Sequence, residues 1–228
     1  MPRYNKLKAE MLERYTGCKG DAIHLIPNDL ASLYIALGRY TQNIEGLRII
    51  IKDPTYENQE YAERWHKITF TLARAMFFMF RILSFGMFKK KFSDFGNAMG
   101  NTIYMPAHII QPHMPNYYAM LRHELQHCLD MKRYGLWFHF SYLLIGRMRA
   151  KWELRAYTQS MIAYYTTGGE VEQFRMDFYA KQFWSASYVF MWPFPRHIKR
   201  VLERIKAKVV SSEISAYDIG DFDVWKGE

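Results

Sequence analysis

The chain has only two cysteines, Cys18 and Cys128, in 228 residues. Two thiols cannot build a disulfide framework, so the small disulfide-stapled secreted class is excluded and a reducing compartment is the simpler reading. The first residues, MPRYNKLKAEMLERY, contain no apolar h-region, so no secretory signal is expected and the localisation expected is cytoplasmic. Internal repeats and low-complexity linkers are also missing, which removes solenoids and tandem arrays.

Acidic residues are few, 22 against 31 basic ones, for a net charge of +9. They are also concentrated at the end. From Ser211 onward Glu213, Asp218, Asp221, Asp223 and Glu228 face Lys226 alone, a net of −4, so the remaining residues carry +13. A basic body suits an acidic partner such as anionic lipid, cell wall or nucleic acid. No nucleic-acid-binding motif accompanies the charge, so a solvated basic surface is the simpler reading and nucleic acid is not expected. The tail could cover the body as an autoinhibitor, although a solvated tail is simpler.

Apolar residues make up 50% of the chain and aromatics 17%, enough for a sizeable core. The organisation expected is one domain over residues 1–210, with an N-terminal helical extension, and an acidic tail over 211–228. Periodicity and stop signals predict helices over 2–16, from Asn28 or Asp29 to about Gly46, and over about 57–85. The last contains "ITFTLARAMFFMFRILSFGMF", long enough for a membrane span but interrupted by Arg74 and Arg81, each costing about 2.5–3.5 kcal/mol near a bilayer centre. A buried helix is the better reading, with peripheral membrane contact as the alternative. "LRIII" (47–51) and "NTIYMP" (101–106) read as strands, Pro106 ending the second or placing it at an edge. Further helices are expected from an Asn116 N-cap to Gly135, over 147–166, 170–183 and 196–210. "LWFHFSYLLIG" fits either helix or buried loop. The fold class is mostly helical α+β with a small sheet.

The chemistry gathers in "LRHELQHCLD", 121–130. Positions i and i+4 share a helix face, so His123 and His127 can reach one metal ion, and zinc takes imidazole nitrogens at about 2.0–2.1 Å. Glu124 lies one step round the helix, beside the ion and within reach of a water, where a carboxylate can act as general base. With 8 His and 13 Glu in the chain, chance supplies about 0.016 copies of this pattern. The helix is amphipathic, with Tyr118, Leu121, Leu125 and Leu129 as its stripe.

A catalytic zinc needs a third protein ligand. No Gly and third His follow at metzincin spacing. His139, twelve positions on, sits in an apolar stretch and reads better as a core or interface histidine. Glu153, in "KWELRAY" and 26 positions after His127, leaves room for a helix that turns back across the first, and small Ala156 allows a close approach. The competing reading of Glu153 is a solvated carboxylate paired with Lys151 or Arg155.

HELQH followed by the ELRA glutamate resembles the gluzincin branch of HExxH zinc metallopeptidases over about residues 101–166, and more loosely small HExxH proteins of bacteria and phages. The resemblance implies a zincin-like fold, Zn²⁺ held by His123, His127 and Glu153, Glu124 as general base, and the 101–106 strand as the edge along which an extended peptide binds. Thermolysin-like members place an Asp four residues after the ligand glutamate; here Tyr157 stands there. Support for a ligand histidine must then come from elsewhere, with Asp130 a candidate. Tyr157 is the choice for stabilising the transition state, with Tyr104, Tyr164 and His139 as alternatives.

Three functions follow as expectations. The first is a zinc peptidase acting on a peptide or protein substrate. The second is a structural or binding component of a larger assembly, such as a virion, that keeps the metal site. The third is a membrane-associated peptidase resting on residues 68–88 and on "FWSASYVFMWPF", 183–194.

Overall fold

In the computed structural model the described residues are 48–52, 75, 78, 81–82, 96–106, 115–166, 171–185, 190–211 and 213–214. The helices expected over 2–16 and 28–46, most of the 57–85 helix, and the acidic tail beyond Ile214 lie outside them.

Helix α1, Pro115–Tyr134, begins on a proline, whose fixed φ and missing N–H suit a first helical position. Asn116, expected as the cap, lies one residue inside. Its Oδ1 instead accepts from Tyr164 Oη and, at 2.9 Å, from Arg175 Nη1, so the side chain is spent on tertiary contact. The helix ends at Gly135 as expected. There φ is +56° and the amide donates to Met131 O at 2.8 Å, a left-handed turn that glycine adopts without strain.

That turn starts α2, Leu136–Leu144. The "LWFHFSYLLIG" segment is therefore helical, but only Phe138 and Ser141 are buried in it. Arg149, itself buried, donates to Tyr142 O and Leu143 O at 2.7 Å each, satisfying carbonyls that a helix C-terminus leaves open. Helix α3, Gly146–Thr166, turns back across α1, and α4, Gln173–Trp184, and α5, Pro195–Val210, follow. In α5 Ile198, Val201, Leu202, Ile205 and Val209 are buried, a stripe at helical spacing worth about 1.5–3 kcal/mol per fully buried large side chain.

A three-stranded sheet lies beside α1, in the order β1 (Arg48–Lys52), β3 (Thr102–Pro106), β2 (Asn97–Met99). β2 and β3 form an antiparallel pair across Gly100–Asn101, and β1 joins β3 in parallel. The mostly helical α+β class and both expected strands are present. One expectation is corrected: β3 lies between two strands and is not an edge. Pro106 does end it, facing Lys52 at the last position of the register, where no further ladder bond is needed. The outer strand next to β3, missed in the sequence, is β2.

The core forms where α1 and α3 cross. Tyr118, Leu121 and Leu125 of α1 meet Ala150, Leu154, Met161 and Ile162 of α3; Leu129 is only partly buried. Ala156 is fully buried, as a close crossing requires. Polar side chains share this interface. Arg122 donates to Gln159 Oε1, at 3.1 Å through Nε, and Arg155 holds Asp130 with both its Nε and Nη2. No helix among the described residues is long and apolar enough to cross a membrane. Phe78 and Ile82, in the apolar 68–88 stretch, are exposed. In 183–194, Phe183 and Met191 are buried whereas Phe190 and Phe194 are exposed.

Candidate metal centre

Histidines four apart on α1 meet one glutamate from α3. His123, His127 and Glu153 are buried, and one donor atom from each lies within 4.8 Å of the others. His123 Nε2 stands 3.4 Å from Glu153 Oε2, and His127 Nε2 stands 3.5 Å from Oε1. Donors around a tetrahedral ion at about 2.0–2.2 Å are separated by roughly 3.3–3.6 Å, so both separations fit ligands that share an ion. Glu153 Oε2, fully buried, accepts no hydrogen bond. Glu153 is 1% exposed and Arg155 is engaged by Asp130, which dismisses the solvated salt-bridge reading of Glu153.

Burial alone would raise the carboxyl pKa of Glu153, but His123 and His127 outweigh it and hold the group well below the usual carboxylate range. Burial likewise opposes charge on His127, yet Glu153 first, and Glu124 and Asp130 more weakly, bring its pKa up to about 8. Cys128, next to His127, has its thiol pushed up to about 12 by burial and the Glu124 charge. It stays protonated and is a poor ligand, since a metal needs the thiolate.

Glu124 is buried on the same helix and is not one of the three grouped side chains. Its carboxylate lies against Gly96, just before β2. A Cβ on that residue would collide with Glu124 Oε1 and stand 2.9 Å from its Cδ. Only glycine lets the strand approach this closely.

Three aromatic residues, Tyr157, Tyr142 and Phe138, line the imidazoles. Tyr157 packs edge-on to His123, with ring centroids 4.8 Å apart, and its other neighbours are Tyr179 and Phe183. Tyr142 of α2 lies edge-on to His127 at 5.9 Å, and its hydroxyl donates to Glu153 Oε1 at 2.5 Å. Of the alternatives to Tyr157, Tyr104 is buried in β3 and Tyr164 is held by Asn116 and Arg175. His139 is exposed and outside the ligand group, which removes the core half of the core-or-interface reading.

Asp130, one candidate for supporting a ligand histidine, makes no hydrogen bond to His127 Nδ1. Arg155 and Gln126 take its carboxylate, with Gln126 Nε2 at 2.9 Å, and His127 Nδ1 is buried without a hydrogen-bond partner. Ligand histidines ordinarily donate that N–H to an acceptor, so this ring is held by packing against Phe138 and Tyr142 instead.

Sequence reasoning missed Tyr142 and Gly96. Tyr142 carried a weak signal, a lone phenol in an apolar run. Gly96 carried a better one, since "FGNAMGN" places a glycine immediately before a short strand. Comparison with protein-family models, curated proteins and solved structures gives no match to this chain.

Proposed function

We propose that this chain is a zinc-dependent peptidase or related hydrolase of the HExxH gluzincin type, built on a zincin-like fold. His123, His127 and Glu153 hold the metal, and Glu124 is the general base. The observation that carries the reading is Glu153: a carboxylate 26 positions from His127, buried, with its oxygens 3.4 and 3.5 Å from the two imidazole Nε2 atoms. Two neutral ligands and one anionic ligand on adjacent helices are a catalytic zinc donor set.

Zinc bound there would lower the pKa of water toward neutrality and polarise a substrate carbonyl. Glu124, beside the histidine ligands on the same helix, is the carboxylate that would accept a proton from a water in the site and return it to the leaving amine. Gly96 leaves the space that this carboxylate occupies. Tyr157 braces His123 and is the residue assigned to stabilising the transition state. Gly96, just before β2, abuts Glu124, and β2 is the outer strand on that side of β3, so an extended peptide would align along β2.

A second reading is favoured by one observation: Glu124 and all three ligand residues are buried. A component of a larger assembly, such as a virion, that keeps a sealed metal site would look this way. Glu124→Gln separates the two. In the peptidase it leaves zinc content near one per chain and lowers cleavage of a peptide library by about 10²–10⁴-fold. Equal cleavage by wild type and variant rejects Glu124 as the base, and zinc-loaded wild type that cleaves nothing supports the assembly component.

A further inference from the structure

We propose that Tyr142 sets how Glu153 meets a metal ion. Its hydroxyl donates to Oε1, which favours Oε2 as the donor. This rests on the zinc reading above. The two carboxylate oxygens of Glu153 are treated differently by the protein. Oε1 accepts from Tyr142 Oη at 2.5 Å. Oε2 is buried, accepts no hydrogen bond, and faces His123 Nε2 at 3.4 Å. An oxygen that already accepts a hydrogen bond has less electron density to give to a cation, whereas an open one is a full-strength donor.

The consequence is coordination number. A carboxylate with both oxygens open can chelate. Chelation by Glu153 would fill the position that a catalytic site keeps for water. A hydroxyl fixed on Oε1 opposes that mode.

The fold holds the hydroxyl firmly. Tyr142 stacks on Phe138 at 5.6 Å and lies edge-on to His127. Its carbonyl accepts from Arg149 Nε at 2.7 Å. The preceding residue, Ser141, accepts from Trp152 Nε1 at 3.0 Å through Oγ, which ties α2 to the helix that carries Glu153. Tyr142 is therefore a positioning residue, acting on the metal through Glu153.

The test uses the full chain loaded with cobalt(II), whose visible absorption is strong at four-coordinate sites and weakens as coordination number rises. Tyr142→Phe keeps the ring and removes the hydroxyl. Its cobalt spectrum should lose intensity relative to wild type, as both oxygens of Glu153 become open to the ion. Ser141→Ala loosens α2 but keeps the phenol, and should leave the spectrum unchanged. Tyr142→Leu gives the same readout should the phenylalanine variant misfold. An unchanged spectrum in Tyr142→Phe overturns the assignment, whatever happens to affinity. Loss of intensity in Ser141→Ala overturns it as well, because helix docking would then be the cause. Wild type that binds no metal removes the zinc reading and this proposal together, whereas metal-binding wild type with an unaltered variant removes this one alone.

Discussion

Helices α1 and α3 enclose two clusters of buried charge, and the two are finished differently. In one, Asp130 accepts from Arg155 and Gln126, and the cluster closes on itself. In the other, one turn away on the same pair of helices, Glu153 Oε2 and His127 Nδ1 have no hydrogen-bond partner. A buried polar atom left without a partner costs about 1–3 kcal/mol. A cluster that serves only to join helices has no reason to bear that cost, since the neighbouring one shows that this interface can satisfy its charges. The open atoms belong to the cluster whose three side chains could hold a metal ion.

The closed cluster gives the largest expected effect. Asp130→Ala leaves the Arg155 guanidinium, 2% exposed, without its carboxylate. Breaking a buried pair in this way should lower unfolding free energy by about 3–5 kcal/mol. Urea unfolding should give the same loss with and without zinc. A loss that appears only in the zinc-loaded protein would join the two clusters into one and end the comparison.

The open cluster should behave in the opposite way. Zinc at 100 times its Kd should stabilise wild type by about 2.7 kcal/mol. Glu153→Gln, which removes the anionic ligand, should abolish most of that increment. Thermal unfolding with and without zinc measures it. An undiminished increment in the variant would place the metal somewhere other than between the two histidines and Glu153.

Much of this contrast was legible in the sequence and part was not, for physical reasons. Spacing on one helix is fixed by helix geometry, so His123 and His127 could be paired from their numbers alone. Glu153 needed only a helix that turns back, and α3 supplies it, bringing the glutamate to both imidazoles. The strands over 47–51 and 101–106 announced themselves by β-branched residues. β2 did not, because "NAM" has no strand propensity and pairs only through the turn that follows it. Asp130 was misread because sequence proximity to His127 says nothing of Arg155, which lies 25 residues away and reaches it first. Tyr142 was missed for the same reason: its partner Glu153 is on another helix, and a single phenol in an apolar segment has no period.

Gly96 sharpens the comparison from the strand side. Gly96→Ala puts a methyl carbon 2.3 Å from Glu124 Oε1. The carboxylate must move, while His123, His127 and Glu153 stay in place. Zinc content should therefore remain near one per chain as hydrolysis falls, by up to about 10²-fold for a displacement of about 1 Å. Measuring both in one preparation tests it. Loss of zinc together with activity would mean that the strand supports the ligands and not the base.

The smallest effect is in pH and belongs to the open cluster alone. Burial works against charge on His127, but Glu153 raises its folded pKa from 6.5 to about 8. A raised folded pKa means that the protonated ring stabilises the metal-free protein. That contribution, about 2 kcal/mol, is fully present below pH 6.5 and is lost as pH rises through about 8. Zinc needs the neutral ring and so competes with the same proton. Its affinity should climb by up to about tenfold per pH unit until about pH 8 and then level off. In Glu153→Gln the source of the raised pKa is gone, so the metal-free protein should lose its decline in stability between pH 6.5 and 8. Competition titrations from about pH 6 to about pH 9 read the zinc side, and urea unfolding over the same range reads the other. An affinity that is flat across the range would show that zinc displaces no proton from His127. The histidine nearest the closed cluster would then belong with it, and the division drawn between the two would fall one helical turn further along α1.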